Sequence, residues 1–152
     1  MIITLVILVL QVRGARLELA SQMTREIKRD NNDAFYQLIQ RPDLVDIHIR
    51  AQREYSNLSE EEKVTWLVWL FTWINQTEDA WMARDRGILD MEWVDAYMVG
   101  VARVLRSEGG RIAWPKLRGN FESSFIVALE RTILEGEETF LEAVLSTEER
   151  DG

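Results

Sequence analysis

Large apolar side chains fall in blocks along the chain, separated by short polar or proline-bearing breaks. From Val64 to Ile74 only Thr65 and Thr72 interrupt a run that contains Trp66, Trp69 and Trp73. A helix that is apolar around most of its circumference belongs inside a core, so the run predicts a central, largely buried helix. Ser59-Glu60-Glu61-Glu62 opens it as a capping box, with Ser59 at the N-cap and three carboxylates on the positive end of the helix dipole. Gly87, following Arg86, suits the left-handed residue that ends a helix. One stripe of this helix reads Val64, Leu67, Phe71, Ile74, Glu78 and Trp81; a second reads Trp66, Trp69, Leu70, Trp73, Thr77 and Ala80.

Residues 1–12 are apolar except Thr4 and Gln11. As a helix they measure about 18 Å, against roughly 30 Å of bilayer hydrocarbon, which is too short to span. A signal-peptide core would want a positive residue before it, and a helix packed in a soluble core would have to bury apolar side chains on every side. The favoured reading is the distal part of a transmembrane helix, with Arg13 and Arg16 marking its cytoplasmic flank.

From Leu17 the pattern narrows to one stripe, Ala20, Met23, Ile27, Ala34 and Leu38, which predicts an amphipathic helix continuing out of the apolar segment. Asp30-Asn31-Asn32-Asp33 favours caps and turns and predicts a kink or break. Arg41-Pro42 ends the helix, because the residue before proline avoids the α region. Further helices are predicted over 42–53, over 91–108 with Asp90 as cap and Gly109-Gly110 as stop, over 111–117 with Pro115 in the first turn or at a kink, and over 123–134. Beyond Gly136 the chain reads as an acidic tail with some helical tendency at Phe140, Leu141, Val144 and Leu145. No stretch alternates convincingly with period two, and no Asn-Gly or Asp-Gly turn occurs.

The expected class is therefore all-α, a bundle of five to six helices around the Trp-rich helix 59–86, with a long N-terminal helix. Its expected organisation is a hydrophobic membrane-associated segment over 1–16, a helical domain over 17–136, and an acidic, partly disordered tail over 137–152.

Composition narrows the function classes. With 152 residues the chain suits one domain, and such a domain buries roughly 68–70% of its unfolded surface. The absence of cysteine removes disulfides, zinc-thiolate sites and a cysteine nucleophile. A formal charge of −8 argues against a nucleic-acid partner, which requires a basic face. The charge is uneven: Arg13, Arg16, Arg25, Lys28 and Arg29 follow the first apolar run, whereas Glu135, Glu137, Glu138, Glu142, Glu148 and Glu149 crowd the end. A basic cluster beside an apolar segment is attracted to an anionic membrane surface by about 1 kcal/mol per cation.

Several short motifs recur in order: Leu8-Val9-Leu10-Gln11-Val12-Arg13, Arg41-Pro42-Asp43-Leu44, Leu58-Ser59-Glu60-Glu61-Glu62-Lys63, Glu78-Asp79-Ala80-Trp81, Arg86-Gly87-Ile88-Leu89-Asp90, Gly110-Arg111-Ile112-Ala113-Trp114-Pro115 and Phe121-Glu122-Ser123-Ser124-Phe125. On these the chain resembles an uncharacterised family of bacterial proteins, a domain of unknown function, that joins an N-terminal membrane helix to a small helical cytoplasmic domain. The resemblance implies anchoring and fold, and no chemistry.

Glu78 stands out because its stripe should point it inward, and a buried carboxylate must be paired, hydrogen-bonded or protonated. Arg111, Arg103, Tyr97 or a tryptophan N–H would lock it between helices. Alternatively it is a perturbed acid at the edge of a Trp-lined pocket, and Glu78, Trp81, Arg111 and Trp114 are then the ligand or partner candidates. His48, the single histidine, reads as a structural hydrogen-bonding residue, although a solvated imidazole would titrate near neutrality. No Glu-x-x-His occurs, which excludes a di-iron bundle on ligand count, and no catalytic constellation, cofactor or metal is indicated.

The expected function is a non-enzymatic, membrane-tethered cytoplasmic sensor, adaptor or scaffold. Its expected partners are the membrane, through the N-terminal segment, and a protein or a second copy through the N-terminal helix. The alternatives are a small-molecule-binding helical domain or weak hydrolase with a pocket near Glu78 and Trp114, and a toxin-antitoxin or phage-type interaction protein; the alternative location is soluble in the cytoplasm.

Overall fold

In a computed structural model, residues 2–85 and 92–148 are described, with side chains over 11–85 and 92–145 apart from Asn31, Ala34 and Val144. Among the described residues the fold is all-α, with a long N-terminal helix and no strand. The seven helices are α1 (Ile2–Gln40), α2 (Pro42–Glu54), α3 (Glu60–Asp85), α4 (Glu92–Leu105), α5 (Glu108–Leu117), α6 (Ser123–Glu135) and α7 (Phe140–Glu148). Single 3-10 turns, Tyr55–Asn57 and Arg118–Asn120, lead into α3 and α6.

The Trp-rich run forms α3, and the capping box closes reciprocally. Ser59 Oγ accepts from the Glu62 amide at 3.2 Å, while Glu62 Oε2 accepts from the Ser59 amide at 2.8 Å. The same carboxylate is bound by Arg50 from α2. That hydrogen bond and the Ser59 amide hold the Glu62 carboxyl down at about 2. One box therefore starts α3 and fastens it to α2.

The core takes most of both apolar stripes: Ile74 and Trp81 of the first are buried and its Leu67 and Phe71 are half-buried against the core, while the second is buried throughout. Trp66, Leu70, Trp73, Ile74, Thr77 and Ala80 are almost fully buried, whereas Val64 is 58% exposed and Val68 63% exposed. The inward turn of both stripes fails at Val64, which joins Val68, Thr72 and Asn75 in a solvent strip along α3. Around the buried stripe pack Leu44, Ile47 and Ala51 of α2, Val94, Met98, Val101, Val104 and Leu105 of α4, and Phe125 and Leu129 of α6.

Helix α1 runs unbroken for 39 residues, about 58 Å at 1.5 Å per residue. The break expected at residues 30–33 is absent; apolar anchors on both sides, Ile27 before and Phe35 and Leu38 after, pack on the core. Met23 and Ile27 lie beside Glu78, Asp79 and Met82, whereas Phe35 meets Trp73 edge-on at 5.1 Å. Helices α1 and α3 are therefore antiparallel. Residues 11–19 stand exposed on every side, outside the bundle. No helix among the described residues is long and apolar enough to cross a membrane.

Two expected boundaries move for the same reason. Gly109-Gly110 does not stop α4; the pair lies in the first turn of α5, after Ser107, whose Oγ accepts from the Gly110 amide at 3.2 Å. A Cβ on Gly109 would fall within 3.0 Å of the Ala51 carbonyl of α2, and one on Gly110 would strike the Val104 carbonyl. The glycines are required by close backbone approach. With α5 beginning at Glu108, Pro115 sits within the helix. The expected cap at Asp90 and stop at Gly87 lie outside the described residues.

Candidate functional site

Glu78 lies on the half-buried flank of α3, where Oε1 accepts from the backbone N–H of Glu122 at 2.6 Å. Glu122 in turn caps α6, accepting from the Ser124 and Phe125 amides, and its carboxyl is held below the usual range, first by the Ser124 hydroxyl. None of the partners proposed from sequence, Arg111, Arg103, Tyr97 or an indole, binds Glu78 among the described residues. Its place is at the hinge between the Arg118–Asn120 turn and α6.

Behind that hinge runs an aromatic chain. Trp114 stacks on Phe121 at 5.9 Å, Phe121 meets Phe71 at 5.4 Å and Phe125 at 6.0 Å, and Phe125 meets Trp81 at 5.9 Å. Trp114 Nε1–H donates to Glu130 at 3.1 Å; Trp81 Nε1 is buried with no partner. Trp81 and Trp114 are thus joined through phenylalanines as packed core. Arg111 is not part of this chain: it is exposed on α5 and lines a different groove. The shallow depression at Glu78 contains Met23, Ile27, Asp79, Met82 and Glu122, and no aromatic residue. There burial raises the Asp79 carboxyl, helped by the charge of Asp30. Arg13 and Arg16 stand exposed on the projecting part of α1.

A second polar site lies at the other end of α3. His48 is only 4% exposed. Its Nδ1 accepts from Trp66 Nε1–H at 3.2 Å, its Nε2 lies 2.9 Å from the Gln52 amide nitrogen, and Trp69 and Phe140 meet its ring edge-on at 4.6 and 5.9 Å. Burial pushes the imidazole down to about 4, so it is neutral near pH 7 and does not titrate there. An Nδ1 that accepts leaves the proton of a neutral ring on Nε2, which then needs an acceptor. The Gln52 nitrogen faces Nε2 and also donates to the His48 carbonyl at 3.4 Å, while its oxygen is buried without a partner; turning the amide would give Nε2–H an acceptor but lose the carbonyl bond. The His48/Gln52 spacing of four, one turn apart on α2, is the sequence signal that could have revealed this pair.

Next to this site Arg106 closes the end of α6, donating to the carbonyls of Thr132 (2.6 Å), Ile133 (2.9 Å) and Glu138 (2.9 Å). Burial lowers its pKa. Gly136 leaves the space that its guanidinium fills. No group of three or more His, Cys, Asp or Glu among the described residues could hold a metal ion. Compared with family models, curated proteins and solved structures, the chain matches none.

Proposed function

We propose that the protein is a membrane-tethered, non-enzymatic adaptor whose helical bundle faces the cytoplasm. The observation that supports this reading is the continuity of α1, which leads without a break from the apolar N-terminal stretch into the core contacts of Ile27, Phe35 and Leu38. A tether of this kind holds its domain rigidly rather than on a flexible linker. Val12, Leu17 and Leu19 stand exposed beside Arg13 and Arg16 on the projecting segment, a combination of apolar and cationic groups suited to the interfacial layer of an anionic bilayer. The excess of arginine at the end of the apolar stretch favours a cytoplasmic bundle. The bacterial family resembled in sequence has the same arrangement.

Ultracentrifugation of a lysate prepared without detergent tests the reading. The full chain is expected in the membrane pellet, and Arg13→Glu/Arg16→Glu is expected to shift it toward the supernatant. A full chain that remains in the supernatant overturns the tether.

A further inference from the structure

We propose that the protein dimerises by exchange of α7, each copy laying its α7 in the socket of the other while α6, the connector and α7 straighten into one helix. The socket is built by earlier parts of the chain. In the closed chain Phe140 is the anchor, edge-on to His48 at 5.9 Å and to Trp73 at 6.5 Å. Two arginines tie the segment before it: Arg106 donates to the Glu138 carbonyl, and Arg103 lies 3.5 Å from the Glu138 carboxylate. Beyond the anchor the seating is loose, since Leu145 is 50% exposed and an open groove of about 800 Å³ runs between the leucines of α7 and Gln52, Leu105 and Arg111. Nine residues are too few for a helix that stands alone. Helix α7 therefore needs a socket, and a second copy supplies an identical one.

The connector, Gly136-Glu137-Glu138-Thr139, is not helical in the closed chain, and Gly136 is extended at φ −107° and ψ 152°. Its composition does not demand this. Glutamate is a good helix former, and the clearest obstacle to a helix is Gly136, at about a factor of five relative to alanine. The apolar stripe of α6 also runs on through the connector. Ile126, Leu129, Ile133, Gly136, Phe140 and Ala143 are spaced alternately by three and four, the period of a single amphipathic helix. The bend is a tertiary effect: Phe140 docks, and the Arg106 guanidinium fills the space beside Gly136.

A straight helix over 123–148 carries α7 about 20 Å past the end of α6, out of reach of its own socket. Straightening gives up the Thr139–Glu142 cap and gains the helical hydrogen bonds of the connector. An open monomer would leave both Phe140 and the socket bare to water. A twofold pair leaves neither bare, because it restores the same contacts across the interface. The inference does not depend on the tether.

The test measures sedimentation velocity at rising protein concentration on the full chain in nonionic detergent, which shields the apolar N-terminus. Gly136→Ala removes the weak point of the straight helix and puts a methyl where the flexible end of Arg106 lies. Glu137→Pro breaks the straight helix but suits the closed chain, because Glu137 is exposed and the extended Gly136 has the conformation preferred before proline. The expected result is a dimer in wild type at high concentration and a monomer in Glu137→Pro. Gly136→Ala should raise the dimerisation constant at least about tenfold, from about a factor of five in each of two chains. In a refolded mixture of carbon-13-labelled and unlabelled copies, isotope-filtered spectra should join Phe140 of one copy to Trp73 of the other. A dimer formed through the N-terminal helix gives no such contact and survives Glu137→Pro. Wild type and Gly136→Ala that both stay monomeric, a dimer undiminished in Glu137→Pro, or Phe140–Trp73 contacts confined within one copy would overturn the proposal.

Discussion

Trp66 Nε1–H donates to His48 Nδ1 at 3.2 Å inside the core, and this bond places the proton of the neutral ring on Nε2. The buried ring is pushed down to about 4 from an ordinary 6.5. Above 6.5 it is neutral folded or unfolded and stability does not depend on it. Below 6.5 the unfolded chain takes up a proton that the folded protein refuses, so stability falls as pH drops toward 4. The loss is about 2 kcal/mol by pH 5 and about 3 kcal/mol in full. Urea unfolding between about pH 7.5 and 5 should show this slope, and His48→Gln should flatten it; a slope unchanged in the variant would assign it to other groups.

Arg106 joins the last carbonyls of α6 to the segment that starts α7. Arg106→Ala leaves those carbonyls without their donor, at a cost of roughly 1–3 kcal/mol. Hydrogen exchange should quicken first in α7, whose Phe140 covers His48. Uniform quickening across all helices would show that the residue supports the whole bundle instead.

Gly109→Ala places a methyl against the Ala51 carbonyl and should cost about 3 kcal/mol or more, the upper end for overpacking. Gly119, with nothing within 4 Å of its Cβ position, is the control; Gly119→Ala should change stability by less than about 0.5 kcal/mol. Equal denaturation midpoints for the two variants would contradict the close approach of α5 to α2.

The Glu78 bond to the Glu122 amide needs an acceptor and no charge. Glu78→Gln should stay near wild type in chemical denaturation, while Glu78→Ala should lose about 1 kcal/mol, as for a lost cap. A Gln variant as unstable as the Ala variant would mean that the carboxylate charge itself matters.

Much of the architecture was legible before any coordinates. Ser59 and Glu62 encode a start signal within four residues, and the spacing of Trp66, Trp69 and Trp73 encodes a buried helix, because both depend on local geometry alone. Arg41-Pro42 likewise ended α1 through backbone sterics. Which face of α3 the core accepts was not local: Val64 and Val68 are as apolar as their neighbours, and only the positions of α2, α4 and α6 leave them in solvent.

The candidate site divides in the same way. Sequence expected Glu78 to be buried against a side-chain partner; it is half-buried, and its partner is a backbone amide 44 positions away, which no periodicity encodes. Gly109 and Gly110 read as a stop signal because glycine's conformational freedom is a local property, whereas their use here is to admit the backbones of α2 and α4. The sequence by itself determined the class, the start of α3, the end of α1 and the polarity of charge along the chain, since each follows from neighbours within a few turns, whereas the start of α5 and the helix α7 inside the expected tail did not. The tertiary structure alone decided the neutral His48, the α6 carbonyls closed by Arg106 and the groove at Gln52, because each joins residues from helices that meet only on folding.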